Sequence, residues 1–261
     1  MINAKNANIK AGTYWQTNET DGQGSANLVL DNSKLVVSVY DHPAKATGNS
    51  TVTLTNGSVI DAKNGGFTYG DNTTLSVDAT SKIIGKNGAL VELPVAKIGS
   101  NKYYTLEEAF KAATSGCTIE IVSDVTVDYY WDARNTGAKF TVPVTINGNG
   151  KTIKFTASVN DNNYQAPFRF EADATVKNLI VDMSEVTDNR FRAISSKGNL
   201  TVDNSKFIGK DETLNCRAII FGEGAGANVG NLAIAITNSE FINWKRGITD
   251  NENAQDVKTV T

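Results

Sequence analysis

A short phrase recurs along this chain: an apolar residue, a spacer, a small or amide residue that is usually Asn, two spacers, then another apolar residue. It reads Ile9-Lys10-Ala11-Gly12-Thr13-Tyr14, then Leu30-Asp31-Asn32-Ser33-Lys34-Leu35, then Leu54-Thr55-Asn56-Gly57-Ser58-Val59. It returns as Val176-Lys177-Asn178-Leu179-Ile180-Val181, Val202-Asp203-Asn204-Ser205-Lys206-Phe207 and Ile236-Thr237-Asn238-Ser239-Glu240-Phe241. Units that repeat every few tens of residues stack, because one unit cannot bury its apolar face alone. Here each unit is built of short β-branched runs, so the expected architecture is an all-β solenoid.

The spacing sharpens this. In the first part the phrase centres are Ala11, Asn32, Asn56 and Ala79, at intervals of 21, 24 and 23 residues. Three strands of about five residues, each rising ~3.3 Å per residue, plus their turns, fill one such coil. In the second part Asn178, Asn204 and Asn238 are 26 and 34 residues apart, and the surplus is expected to loop outward. The glycine-rich run Phe221 to Gly230 is the expected excursion.

Between the parts, Thr105-Leu106-Glu107-Glu108 is a capping box that opens a helix. Leu106, Ala109, Phe110 and Ala113 share one face, and Gly116 closes the segment. A short helix with one apolar stripe needs something to lie on. The end of a solenoid needs a cover for its interior and its unpaired backbone. Residues 105–115 are therefore expected to plug the start of the second solenoid. The boundary is placed near Pro94, giving parts 1–94 and 95–261, the second truncated at its carboxyl end.

Composition sets limits on function. The net charge of −3 gives no clustered basic face for nucleic acid. No apolar run approaches the ~20 residues that span a bilayer, and the first fifteen residues lack the apolar stretch of a secretory leader. Two cysteines, Cys117 and Cys216, are too few for a disulfide framework, and the sequence leaves their pairing open.

From Val95 onward the chain resembles a known family. Val95-Ala96-Lys97-Ile98-Gly99, Tyr104-Thr105-Leu106-Glu107-Glu108-Ala109, Gly116 and Thr118-Ile119-Glu120-Ile121 look like the amino-terminal cap of right-handed parallel β-helix modules with the pectate-lyase-like fold. Ile146-Asn147-Gly148-Asn149-Gly150-Lys151-Thr152-Ile153 is similar to their first full rung. The resemblance implies a right-handed parallel β-helix and a ladder of stacked asparagines at one corner. It extends loosely over 1–94. Such modules occur in bacterial surface and adhesin-like proteins, which implies an extracellular location. The fold also carries lyases, hydrolases and virion spikes, so it does not by itself assign an activity.

The asparagines Asn32, Asn56, Asn178, Asn204 and Asn238 are read as that structural ladder, since an amide both donates and accepts across ~4.8 Å between rungs. A second alignment is Arg192-Ala193-Ile194, Arg217-Ala218-Ile219 and Arg246-Gly247-Ile248, at intervals of 25 and 29 residues. Three like charges one strand apart repel unless neutralised. Asp188, Asp203, Glu223 and Asp250 are nearby in sequence, so an ion-pair ladder competes with a stripe that binds an acidic polysaccharide through bidentate Arg forks. Trp244 and Lys245, directly before Arg246, join the candidate ligand contacts, as do Tyr129-Tyr130-Trp131 and Phe168-Arg169-Phe170, although the competing and favoured reading is that these aromatics cover rung edges or fill the coil.

No catalytic set is assigned. A lyase would use Arg192 or Arg217 as base with Ca²⁺ on Asp182, Asp188 and Asp203, but no compact calcium loop is present. A hydrolase needs paired carboxylates, and His42, the one histidine, sits before Pro43 in a turn. The reading is a non-catalytic, rod-like surface module, with a glycan or a host surface and neighbouring domains as partners and no cofactor. The alternatives are a carbohydrate-active β-helix enzyme, for which Ca²⁺ is the implied cofactor, and a phage tailspike-type protein.

Overall fold

The computed structural model describes residues 2–11, 27–37, 44–46, 48–70, 72–78, 80–159, 166–211, 216–222, 232–250 and 257–260. The fold is a parallel β-solenoid whose contacts fall into two units, Met1–Leu93 and Pro94–Thr261.

In the second unit each coil lays one strand on each of three sheets. The first sheet stacks Cys117–Ile121, Val144–Asn147, Ala174–Lys177, Leu200–Asp203, Leu232–Thr237 and Val257–Val260 in parallel. An antiparallel hairpin, Ala96–Ile98 with Asn101–Tyr103, closes its leading edge. The second sheet runs Val125–Val127, Thr152–Phe155, Ile180–Asp182, Lys206–Asp211, Glu240–Trp244. The third runs Lys139–Phe140, Phe168–Phe170, Arg192–Ser196, Arg217–Phe221, Arg246–Asp250.

Register stacks like on like. Ile119, Ile146, Val176, Val202 and Ile236 form one interior file, and Ile153, Val181, Phe207 and Phe241 another. Phe207 and Phe241 lie ring on ring at 5.4 Å, as do Phe140 and Phe170 at 5.4 Å. Burial alternates along these strands, so a slip of one residue would turn the whole file outward. Each fully buried Ile, Val or Phe contributes about 1.5–3 kcal/mol, and these files hold the coil closed.

The capping box forms. Thr105 Oγ1 accepts from the Glu108 amide at 3.2 Å, and Glu108 Oε2 accepts from the Thr105 amide at 3.2 Å. Helix α1 is Leu106–Lys111, shorter than the sequence implies. Its last turn closes at Ala112, and the chain then turns through Gly116 (φ 76°), whose amide donates to Pro143 O at 2.7 Å. Leu106, Ala109 and Phe110 are buried in the rung interior. Phe110 packs edge-on against Trp131, Phe140 and Phe168, with ring centroids 6.1, 5.5 and 6.0 Å away. A second short helix not read from the sequence, α2 (Ala133–Thr136), is capped by Asp132 and contacts α1.

The first unit has the same plan. Ile2–Lys5, Asn27–Asp31, Thr51–Thr55 and Thr74–Val77 form one sheet, and Asn8–Ala11, Lys34–Val37, Val59–Asp61 and Lys82–Ile84 the next. Ala44–Ala46 pairs with Phe67–Tyr69 on a third side. Leu28, Leu30, Leu35, Val52, Leu54 and Ile60 fill its separate core. One expectation is corrected. Asn8 pairs with Lys34 and Ile9 with Leu35, so the residue equivalent to Asn32 is Asn6, not Ala11. The first step is thus 26 residues rather than 21. Ala79, His42 and residues 223–230 lie outside the described residues.

Candidate functional site

The most regular polar feature is the corner between the first two faces of each unit. Asn6, Asn32 and Asn56 there have φ of 53°, 45° and 56°, and Asn178, Asn204 and Asn238 have 52°, 44° and 49°. This left-handed conformation is one Asn tolerates better than other side chains except Gly. The amides bond from coil to coil. Asn32 Nδ2 donates to Asn6 Oδ1 at 2.7 Å, Asn178 Nδ2 to Asn147 Oδ1 at 3.1 Å, and Asn204 Nδ2 to Asn178 Oδ1 at 2.8 Å. In each unit one step moves onto a carboxylate instead. Asn56 Nδ2 donates to Asp31 Oδ1 at 2.6 Å, and Asn238 Nδ2 to Asp203 Oδ1 at 3.2 Å.

A second ladder runs beside it, and the sequence reading missed it. The amides of Ala7, Ser33 and Ser58 donate to the hydroxyl oxygens of Ser33, Ser58 and Ser81 at 3.0–3.1 Å. In the second unit Leu179 and Ser205 donate to Ser205 and Ser239 at 3.2 and 3.1 Å. Each corner amide that leaves the sheet is thereby satisfied. The signal was the Ser that follows Asn32, Asn204 and Asn238, which is too common a residue to stand out alone.

These carboxylates titrate with the fold. The Thr237 hydroxyl and then the Asn238 amide hold Asp203 below the ordinary value of 3.8, and the Asn56 amide does the same for Asp31. A lowered folded value stabilises above the unfolded one, and that stabilisation is lost as pH falls through the folded value. Resistance to urea is therefore expected to hold down to about pH 4 and to decline below it. Asp203→Asn should flatten that decline in the second unit, and an unchanged acid profile would contradict the assignment.

The arginine triplets lie in register on the third face: Arg192 pairs with Arg217 and Arg217 with Arg246. They do not form an exposed stripe. Arg192 is 4% exposed, Arg217 half-buried and only Arg246 open to solvent. The Nε atoms of Arg192 and Arg217 are themselves buried. Ala193 and Ala218, next to them in sequence, belong to the core cluster, and Ser195 and Ile220 are at most 1% exposed. Trp244 is likewise withdrawn. Its Nε1 donates to Phe207 O at 3.0 Å and its ring meets Phe191 edge-on at 5.5 Å. Around this file, Lys245 and Arg246 are the expected ligand contacts that stay fully open.

Trp131, Phe168 and Phe170 are core residues, and Trp131 Nε1 donates to Pro167 O at 3.0 Å. Tyr129 and Tyr130 remain exposed. Partial burial first, and then the Glu107 carboxylate to which its hydroxyl donates, push the Tyr129 phenol well above its usual range. Cys117 and Cys216 are free thiols, and burial pushes the Cys216 thiol up, away from the reactive thiolate.

Other carboxylates stitch neighbouring segments. Asp188 accepts from Ser158 Oγ at 2.9 Å and the Val159 amide at 2.7 Å, and Asp182 accepts from the Ser184 amide and hydroxyl at 2.9 and 2.7 Å. The three acids expected of a calcium site are thus used separately. Among the described residues no three of His, Cys, Asp or Glu gather as a metal set. No helix among them is long and apolar enough to cross a membrane. No family model matches the chain, and neither a curated protein nor a solved structure matches it.

Proposed function

We propose that this chain is a non-catalytic, rod-like module of a bacterial cell-surface protein of the adhesin type, belonging with the pectate-lyase-like β-helices and touching glycan with its outer faces. The observation that carries this reading is how the acids are used. Asp31, Asp182, Asp188 and Asp203 each accept hydrogen bonds from neighbouring coils or turns, and Asp31 and Asp203 are held ionised. A general acid needs the opposite, a carboxyl raised toward neutral pH. Polar groups spent on coil-to-coil bonds describe a support, and paired backbone resists local opening and proteolysis outside a cell.

A lyase reading would recruit the arginine file as base, but Arg192 is buried and only Arg246 of the three is fully open to solvent. The test is incubation of the purified protein with polygalacturonate and with alginate in Ca²⁺. The expected result is no new unsaturated ends and no shortening of the polymer, together with saturable retention on a glycan or host-cell surface. Turnover of either polymer would overturn the proposal.

A further inference from the structure

We propose that the outer side of the first sheet of the second unit is a binding comb for a neutral, extended polysaccharide lying along the stacking direction. The inference rests on the glycan-contacting role proposed above and assigns it a face and a ligand class.

Thr118, Thr145, Thr175 and Thr201 occupy one register position on four successive strands. Thr118 and Thr201 are exposed and Thr145 and Thr175 half-buried. Among the described residues none of the four hydroxyls has a hydrogen bond to protein. The contrast with the corners is sharp, for there Asn, Ser and Asp side chains are consumed by the ladders. In the first unit the comparable strand is mixed: Thr51 Oγ1 donates to Asn27 Oδ1 at 2.7 Å, while Thr53 makes no such bond among the described residues. Four unspent hydroxyls in a straight file are therefore set apart from the corner side chains, which the ladders consume.

The file is also preorganised. A β-branched side chain in a strand has few rotamers, so its hydroxyl and methyl are fixed before any ligand arrives. Strand spacing sets the hydroxyls ~4.8 Å apart, and the four cover roughly 14 Å. That step matches the advance of pyranose rings along an extended, β-linked chain, so successive rings meet successive threonines. Thr145, Thr175 and Thr201 line an open groove of about 300 Å³, rimmed by Asp173 and Asn199. The rim is fixed: Asn199 donates to Asp173 from its amide at 2.9 Å, and Asn199 Oδ1 accepts from the Ala233 amide at 2.9 Å.

Charge selects the ligand class. The groove carries one formal charge, Asp173. The file on the other flank is Glu120, Asn147, Lys177 and Asp203, so the surroundings are weakly negative. An acidic glycan would be repelled, whereas a neutral one exchanges hydroxyl bonds with water for hydroxyl bonds with threonine and covers the methyls. A peptide strand is a poorer fit, since strand addition needs an open sheet edge and this is a sheet face.

The test is affinity electrophoresis through gels containing mixed-linkage β-glucan, hydroxyethyl cellulose or glycol chitin. The protein should be retarded by at least one of them. The variant Thr145→Val, Thr175→Val, Thr201→Val keeps shape and strand propensity but removes three hydroxyls. At about tenfold per lost hydrogen bond it should bind at least a hundredfold more weakly, with an unaltered thermal melt. The serine triple variant should restore much of the binding, and Thr126→Val, exposed on the second sheet, should bind as the wild type. Absence of retardation by every neutral polymer, or equal retardation of the valine variant, overturns the comb. Retention on acidic glycans alone would defeat the comb while leaving the surface-module reading intact.

Discussion

Gly198→Ala is expected to unfold the second unit at a much lower temperature than the wild type. A methyl at this position would sit 2.2 Å from the carbonyl carbon and 2.3 Å from the carbonyl oxygen of Ala172, and 2.6 Å from the Asp173 amide. All three are backbone atoms of the preceding coil, held by the sheet hydrogen bonds that begin at Ala174, so none can swing aside. Relief requires the two coils to separate locally. Overpacking of this kind costs 1–3 kcal/mol where side chains can adjust. With backbone opposing backbone the expected cost is at or above the upper end, about 3 kcal/mol. For a unit of this size that lowers Tm by roughly 10 °C. Gly247→Ala is the matched control: nothing lies within 4 Å of its new methyl, and its Tm should stay within a degree or two of wild type. Equal melting of the two variants would show that the coils are not packed as described.

Phe110→Ala should be comparably damaging, for a different reason. Phe110 is 2% exposed and is the side chain through which α1 enters the rung interior. Truncation removes its contacts with Trp131, Phe140 and Phe168 together. The usual cost of Phe→Ala in a core is about 3–5 kcal/mol. The effect should be polar along the chain. The first coil loses its cover, so amide exchange should accelerate most in Cys117–Ile121 and Val144–Asn147 and least near Glu240–Trp244, as expected where each coil is stabilised mainly by its neighbours. Uniform acceleration across the unit would argue against α1 as a terminal plug.

Much of this architecture was legible because one local requirement recurs. A corner that needs a left-handed residue selects Asn, and the recurrence of Asn32, Asn56, Asn178, Asn204 and Asn238 exposes the coil length. Thr105 and Glu108 announced α1 for an equally local reason. What failed was what depends on distant chain. Trp244 beside Lys245 and Arg246 reads as a sugar-stacking or a coil-filling residue, and its own segment does not show that it fills a slot left by the missing side chain of Gly209, whose Cβ would meet its ring at 2.8 Å. Arg192 is buried, and no pattern within its own strand records that. The misplacement at Ala11 is instructive too. Asn6-Ala7-Asn8-Ile9 matches Asn32-Ser33-Lys34-Leu35, but the phrase was anchored on apolar flanks rather than on the amide.

The coil from Asn204 to Asn238 is 34 residues long and that from Asn178 to Asn204 is 26, a difference of eight, yet each advances the stack by one strand. Length and pitch are therefore decoupled. The interior files and corner bonds fix the pitch, while the number of residues in a turn is free to drift between duplications. A lineage of such units can vary its outward segments, and with them what it meets, without renegotiating the axis on which they are threaded.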